Sequence, residues 1–342
     1  MSNMDAWQKE PGPRVEGSRP LDHSKVQAPC IVRIPSGGYR LFYTAVGPGK
    51  PYPACQGYIL SAVSEDGLRF RPEPGIRVAP QPPLPHACLR ALAASVTPRT
   101  EGGWRMYFEA RGPANRPTVI CSAVSADLLQ WEYEEGIRFQ TSGGAGAPRY
   151  LPLPDGRGRL TCWGCERGPG ECPETAKSVV SAVTSDGLHF EREPGVRLPV
   201  NQSECEVSIS AAEVVAPAAA GDPWTMFYSA WQDPPAGTEV PVHPSHDPQA
   251  VEKGLSADFA AASIAADMAG YRSRIFMAVS TDGLTWGRGK CVIEGAGYGG
   301  AGEDAVHAED MSLIRIEDGR YRMYYAACDA QGNWCVVSAV TA

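Results

Sequence analysis

Three of the six histidines stand just ahead of segments that read as strands: His23 in LDHSKVQAP, His86 in PHACLRA and His307 in EDAVHAED. A fourth such segment, QSECEVS, brings Glu204 and Glu206, and the His307 segment also carries Glu309 and Asp310. Neutral imidazoles and a carboxylate suit a divalent ion such as zinc, iron, manganese or copper, so His23, His86, His307 and Glu206 form a candidate metal set. Such an ion would polarise a carbonyl or lower the pKa of a bound water. The plainer reading gives each histidine a hydrogen bond to a neighbouring segment, or a direct contact with a sugar or anion. Aligned on the hairpins that follow, Lys25, Glu206 and His307 fall at one depth, and Glu206, Asp310, Glu309 and Lys25 are the candidate catalytic groups. Guanidinium forks favour carboxylate or phosphate, which makes Arg90, Arg111, Arg149 and Arg167 candidates for substrate binding. Arg111 and Arg167 each have a glutamate close by, Glu109 and Glu166, that offers a rim salt bridge instead. Trp231 and Tyr298 offer aromatic faces for a sugar, or simply packing.

These residues need a scaffold that returns to one place several times, and the sequence contains one. SAVSEDGLRF at Ser61 to Phe70 recurs as SAVSADLLQW from Ser122, SAVTSDGLHF from Ser181 and MAVSTDGLTW from Met277, and the sequence stops on SAVTA. Small and apolar residues in alternation, then Asp-Gly, then an aromatic, describe a strand running into a tight turn, because Asp and Gly tolerate positive φ. A second hairpin precedes each copy, as in IVRIPSGGYRLFYTA and LIRIEDGRYRMYYAA. Each unit is then a four-stranded meander, and such units in series predict an all-β, five-bladed β-propeller. WQKEPGPRV at Trp7 to Val15 aligns without a gap to FRPEPGIRV at Phe70 to Val78. The N-terminal strand is therefore expected to complete the last blade and close the ring, making residues 1 to 342 a single domain.

Between about residues 232 and 274 the fourth unit is swollen. Asp247-Pro248 reads as a helix start and Ser256 to Gly270 as a helix ended by glycine, a lid carrying His243, His246 and Asp247 over the cavity or an oligomer contact. A net charge of −8 argues against nucleic acid as a partner. No apolar run reaches membrane-spanning length and the N-terminus lacks an apolar core, so a cytoplasmic protein acting on a small molecule is expected. Eleven cysteines scattered through strands fit packed thiols better than a disulfide framework.

The Ser/Thr-x-Asp-Gly-Leu-x-aromatic turns at Ser64, Thr184 and Ser280, with the Ala28-Pro29 and Ala147-Pro148 pairs opening inner strands, resemble the five-bladed propellers of glycoside hydrolase families 43, 32 and 130 and their arabinanase-like relatives. The resemblance spans nearly the whole sequence. It implies an aspartate before the proline that opens the first inner strand, where this protein has Ala28. Asp310, in front of Met311, takes the matching slot of the fifth unit, and Asp310 with Glu206 is the carboxylate pair this leaves. Glu171-Cys172-Pro173 copies a family-32 motif in the wrong place and is read as coincidence.

Two motifs fail on context. GAGYGG at Gly295 to Gly300 precedes a strand and opens no helix, so it is not a dinucleotide site. CWGC at Cys162 to Cys165 lies in a strand, where residues three apart face opposite sides. His189 sits inside a repeat turn and receives no role. The leading expectation is a metal-dependent cyclase, lyase, isomerase or hydrolase on a small polar molecule. A glycoside hydrolase or phosphorylase using paired carboxylates, or a non-catalytic sugar-binding propeller, are the alternatives.

Overall fold

The computed structural model describes residues 4–22, 25–46, 56–113, 115–166, 177–201, 206–239 and 270–342. All regular structure among them is β. Pairing sorts the strands into antiparallel meanders: β2 (Val26–Arg33), β3 (Tyr39–Val46), β4 (Gly57–Ser64) and β5 (Arg71–Pro72); β6 (Arg90–Pro98), β7 (Trp104–Arg111), β8 (Val119–Ser125) and β9 (Glu132–Phe139); β10 (Gly144–Pro152), β11 (Gly158–Cys165), β12 (Ser178–Thr184) and β13 (Glu191–Arg192); β14 (Glu206–Val215), β15 (Trp224–Gln232), β16 (Arg272–Ser280) and β17 (Lys290–Ile293); and β18 (His307–Arg315), β19 (Tyr321–Cys328) and β20 (Trp334–Thr341). The N-terminal strand β1 (Trp7–Glu16) pairs antiparallel with β20, Trp7 opposite Thr341 and Glu10 opposite Ser338. The first strands of the units touch in a cycle, β2 with β6, β6 with β10, β10 with β14, β14 with β18 and β18 with β2.

The recurring turn is a fastener. In the first copy the Asp66 carboxylate accepts the amides of Leu68 and Arg69 while Ser64 Oγ accepts that of Gly67, so the turn closes its own backbone donors. Gly67 has φ 72°, and the second copy holds Leu128 at φ 67° in the same place. The carbonyls of these turns receive arginines from the preceding unit: Arg14 reaches Leu68, Arg77 Leu129, Arg138 Leu188 and Arg197 Leu284. The aromatic that ends each of the first three copies packs edge-on against the preceding unit, Phe70 on Tyr324, Trp131 on Phe42 and Phe190 on Tyr107, at centroid separations of 5.7, 5.8 and 5.5 Å. Such pairs contribute about 0.5–1.5 kcal/mol each beyond burial.

Behind the turns lies a repeated clamp. Glu73 holds Arg40 and Ser61, Glu134 holds Arg105 and Ser122, Glu193 holds Arg159 and Ser181, and Glu10 holds Arg322 and Ser338. Glu10 on β1 thus does for β19 and β20 what Glu73 does for β3 and β4, which matches the alignment of WQKEPGPRV with FRPEPGIRV.

One sequence expectation changes here. Cys165 is disulfide-bonded rather than a packed thiol, while Cys162 is free and buried. The helix expected over Ser256 to Gly270, with His243, His246 and Asp247, lies outside the described residues except for Gly270, and no helix occurs among those that are described.

Candidate active site

The first strand of every unit carries an irregularity in its ladder to the second strand, between Gln27 and Cys30, Leu92 and Ser95, Gly146 and Arg149, Ile209 and Ala211, and Glu309 and Ser312. In four units the residue inside it is left-handed: Ala28 at φ 48°, Ala93 at 50°, Ala147 at 48° and Asp310 at 53°. An L-residue there costs about 1–2 kcal/mol, and the three alanines pay it with the smallest side chain that has a Cβ. They pack together with Trp163 and Ala211, which places this layer where the units meet. Asp310 is the one member with a functional group.

A stitch between units holds the layer. Thr44 Oγ1 accepts the amide of Ala93 at 2.8 Å, Glu109 Oε2 that of Ala147 at 3.0 Å, and Ser229 Oγ that of Asp310 at 3.2 Å. Thr44, Glu109 and Ser229 each sit four residues after the start of the hairpin patterns RLFYT, RMYFE and TMFYS. Glu109 is the carboxylate version of a hydroxyl stitch. Its other oxygen accepts Arg111 Nε at 2.5 Å, and room for it depends on Gly146, where an added Cβ would lie 2.0 Å from Oε2.

Asp310 is partly exposed, and none of the described residues donates a hydrogen bond to its carboxylate. Burial pushes its pKa up to about 6; the Glu109 charge adds to the rise, while Arg149 above all, then Lys25 and Lys177, oppose it. Charges from three other units therefore bear on one carboxyl. Lys25 lies with Nζ 4.7 Å from the Trp334 ring and Lys177 with Nζ 4.6 Å from the Trp163 ring. Next to Asp310, Glu309 is buried and receives Trp231 Nε1 at 2.5 Å and Gln27 Nε2 at 3.4 Å.

The expected metal set does not assemble among the described residues, in which no group of three His, Cys, Asp or Glu side chains is placed to share an ion. His23 lies outside them, as do Glu204 and Arg167. His307 is wholly buried, stacked on Trp334 at 5.5 Å and tilted against Trp231 at 5.2 Å, with Nδ1 3.0 Å from Ser273 Oγ. His86 sits 3.4 Å from the Tyr133 hydroxyl on β9, the last strand of its unit, and burial and Arg116 lower its pKa. Glu206 is drawn to Asn201 N at 2.7 Å and Arg288 Nη1 at 3.4 Å, and the carboxylate whose charge reaches Asp310 is Glu109 instead.

The substrate-binding candidates also sort differently. Arg149 is buried and donates to backbone carbonyls of four strands, so it is committed to the scaffold. Tyr298 is buried and its hydroxyl donates to Tyr271 O, a packing role. Arg111 binds Glu109, and Arg90 stands opposite Arg111 in the β6–β7 ladder. Trp231 keeps a place at the site through Glu309.

No family model matches the sequence, and neither does any curated protein. Solved structures do. A thermostable family-43 glycoside hydrolase superposes with a TM-score of 0.63 at 13% identity, covering 96% of this chain and 91% of that one. A family-130 structure, described among glycoside hydrolases that target β-1,2 mannosidic linkages in Candida mannan, reaches 0.66 at 11% identity over 98% and 93%. The fold is that of the glycoside hydrolase propellers. An N-acetylgalactosamine deacetylase from F. plautii, in complex with blood group B trisaccharide, shares it with a TM-score of 0.65 at 13% identity over 98% and 95%, so the scaffold is not tied to one reaction.

Proposed function

We propose that this protein is a carbohydrate-active enzyme, a closed propeller of five blades that cleaves a glycosidic bond with Asp310 as the proton-donating acid and Glu109 as the second carboxylate. The closed ring is supported by the cycle of first-strand contacts and by β1 on β20. The chemistry is supported above all by Asp310, a strained, partly exposed carboxyl with a raised pKa in a layer whose other left-handed positions are alanine.

Glycosidic cleavage needs a carboxylic acid that is still protonated near neutrality and a carboxylate that is not. Asp310 suits the first role because burial and the Glu109 charge favour its neutral form. It would give its proton to the leaving oxygen. Glu109, oriented by Arg111 and the Ala147 amide, would face the positive charge that develops at the anomeric carbon. Trp231, fixed by Glu309, supplies an aromatic face of the kind sugars stack on.

A panel of aryl glycosides tests this. Wild-type protein should release the aryl alcohol from at least one, and Asp310→Asn and Glu109→Gln should each lose about 10²–10⁴ in rate while melting cooperatively. A wild-type protein inert to the whole panel, or an Asp310→Asn variant with its rate intact, overturns the assignment.

A further inference from the structure

Arg149 follows Ala147-Pro148 on β10, and its guanidinium reaches every unit. Nη2 donates to Pro29 O at 3.1 Å and Met311 O at 3.0 Å, and Nη1 to Ala94 O at 3.0 Å and Pro148 O at 3.1 Å. Nε is shared between Glu213 Oε2 at 3.1 Å and Met311 O at 3.3 Å. The pattern among these acceptors is specific. Pro29, Ala94, Pro148 and Met311 are each the residue directly after a left-handed position, Ala28, Ala93, Ala147 and Asp310. One planar fork therefore pins the carbonyl of the residue that follows the left-handed one in four units, and Glu213 of β14 ties it to the fifth. Glu213 is itself fixed, accepting Leu313 N at 3.0 Å.

We infer that Arg149 is the positioning residue of Asp310: by holding the Met311 carbonyl, one residue past Asp310, it fixes the left-handed conformation that aims the carboxyl at the substrate, and it places a fixed positive charge near that carboxyl. The inference rests on the reading of Asp310 as the acid. A lysine cannot replace the fork, because one ammonium has three donors with no fixed plane. The groups that bear on Asp310 come from several elements: Arg149 on β10, Glu109 on β7, and Lys25 and Lys177 ahead of β2 and β12, with the Ser229 hydroxyl of β15 on its amide. Of the charges that hold its pKa down, Arg149 is the strongest.

Carbon-13 NMR of protein with carboxyl-labelled aspartate reads the site without a substrate, the Asp310 signal being assigned by its absence in Asp310→Asn. The wild-type midpoint should lie at about 6. In Arg149→Gln it should rise by about one unit. Arg149→Lys keeps the charge and should titrate near the wild-type value, while turnover of the best aryl glycoside falls ~10- to 100-fold at unchanged KM. A folded Arg149→Gln with an unmoved midpoint, or Arg149→Lys with full turnover, overturns the inference. If Arg149→Gln does not fold, Arg149→Lys decides alone. Failure of the acid role itself reads differently: the midpoint moves in Arg149→Gln, but the wild type cleaves no glycoside.

Discussion

Asp66 and Asp310 are aspartates of one repeating scaffold, and their surroundings drive their carboxyl groups in opposite directions. Asp66 sits in the recurring turn, where the amides of Arg69 and Leu68 hold its pKa well below the usual carboxylate range. In the fourth copy Asp282 is lowered by the amides of Thr285 and Leu284, and in the third Asp186 is lowered first by the His189 side chain and then by the amides of His189 and Leu188. Asp310 sits in the inner layer, where burial lifts it to about 6. The turn aspartates use their charge to close the backbone and are the same in copy after copy. Of the four left-handed positions of the inner layer three are alanine and one is Asp310, and the position that departs is the one with chemistry to offer.

Replacing one carboxylate of the inner layer and one of the repeated scaffold should break the comparison most sharply. Asp310→Asn is expected to abolish turnover by about 10²–10⁴-fold and to raise stability, since ionising a carboxyl whose folded pKa is elevated costs free energy. The sign follows from linkage: that cost is absent below the unfolded value of about 3.8, grows as pH rises toward about 6 and is constant above it. Urea denaturation at pH 7.5 should show a gain of up to about 3 kcal/mol, and a variant less stable than wild type would contradict this. Glu73→Gln acts in the other region. Without its ionised partner, Arg40 is left in a largely buried clamp, at a cost of about 2–4 kcal/mol, yet the pH dependence of turnover should be unchanged.

Smaller effects sharpen the same contrast. Gly146→Ala would push a methyl group onto Glu109 Oε2 and Trp163, so turnover should fall about tenfold or more, with a loss of about 1–3 kcal/mol in stability from overpacking. An unaffected rate would remove Glu109 from the site. Acid should act on the turns. Their depressed carboxyls contribute stability above the unfolded value near 3.8 and lose it as pH falls further, so the melting temperature should decline progressively below about pH 4. Asp66→Asn should flatten a part of that decline.

The scaffold was largely legible because its fasteners repeat. The Asp-Gly turns, their terminal aromatics and the Glu73-like residue of EPG segments recur at fixed spacing, and even Glu10 could be placed by alignment. The inner layer was legible only in part. Asp310 could be set in the slot of Ala28 because the residue after each opens the same strand, and both are left-handed. Glu109 was readable in principle, as the variable fifth residue of RLFYT, RMYFE, RLTCW, TMFYS and RMYYA. Next to Arg111, however, it looked like half of a rim salt bridge, and it is that bridge as well. The histidines were not legible in their surroundings because position along a strand says nothing of what an imidazole packs against: His307 packs against two indoles, and His23 lies outside the described residues. Arg149 misled because its carbonyl partners lie as far as 162 residues away.

The pH dependence of kcat/KM on an aryl glycoside tests most directly whether Asp310 is the acid, since that quantity reports the free enzyme. It should be highest where Asp310 is protonated and fall about tenfold per pH unit above a break near 6, with the break gone in Asp310→Asn. A profile that is level or rising from pH 6 to 8, or a break that survives in Asp310→Asn, would contradict the account.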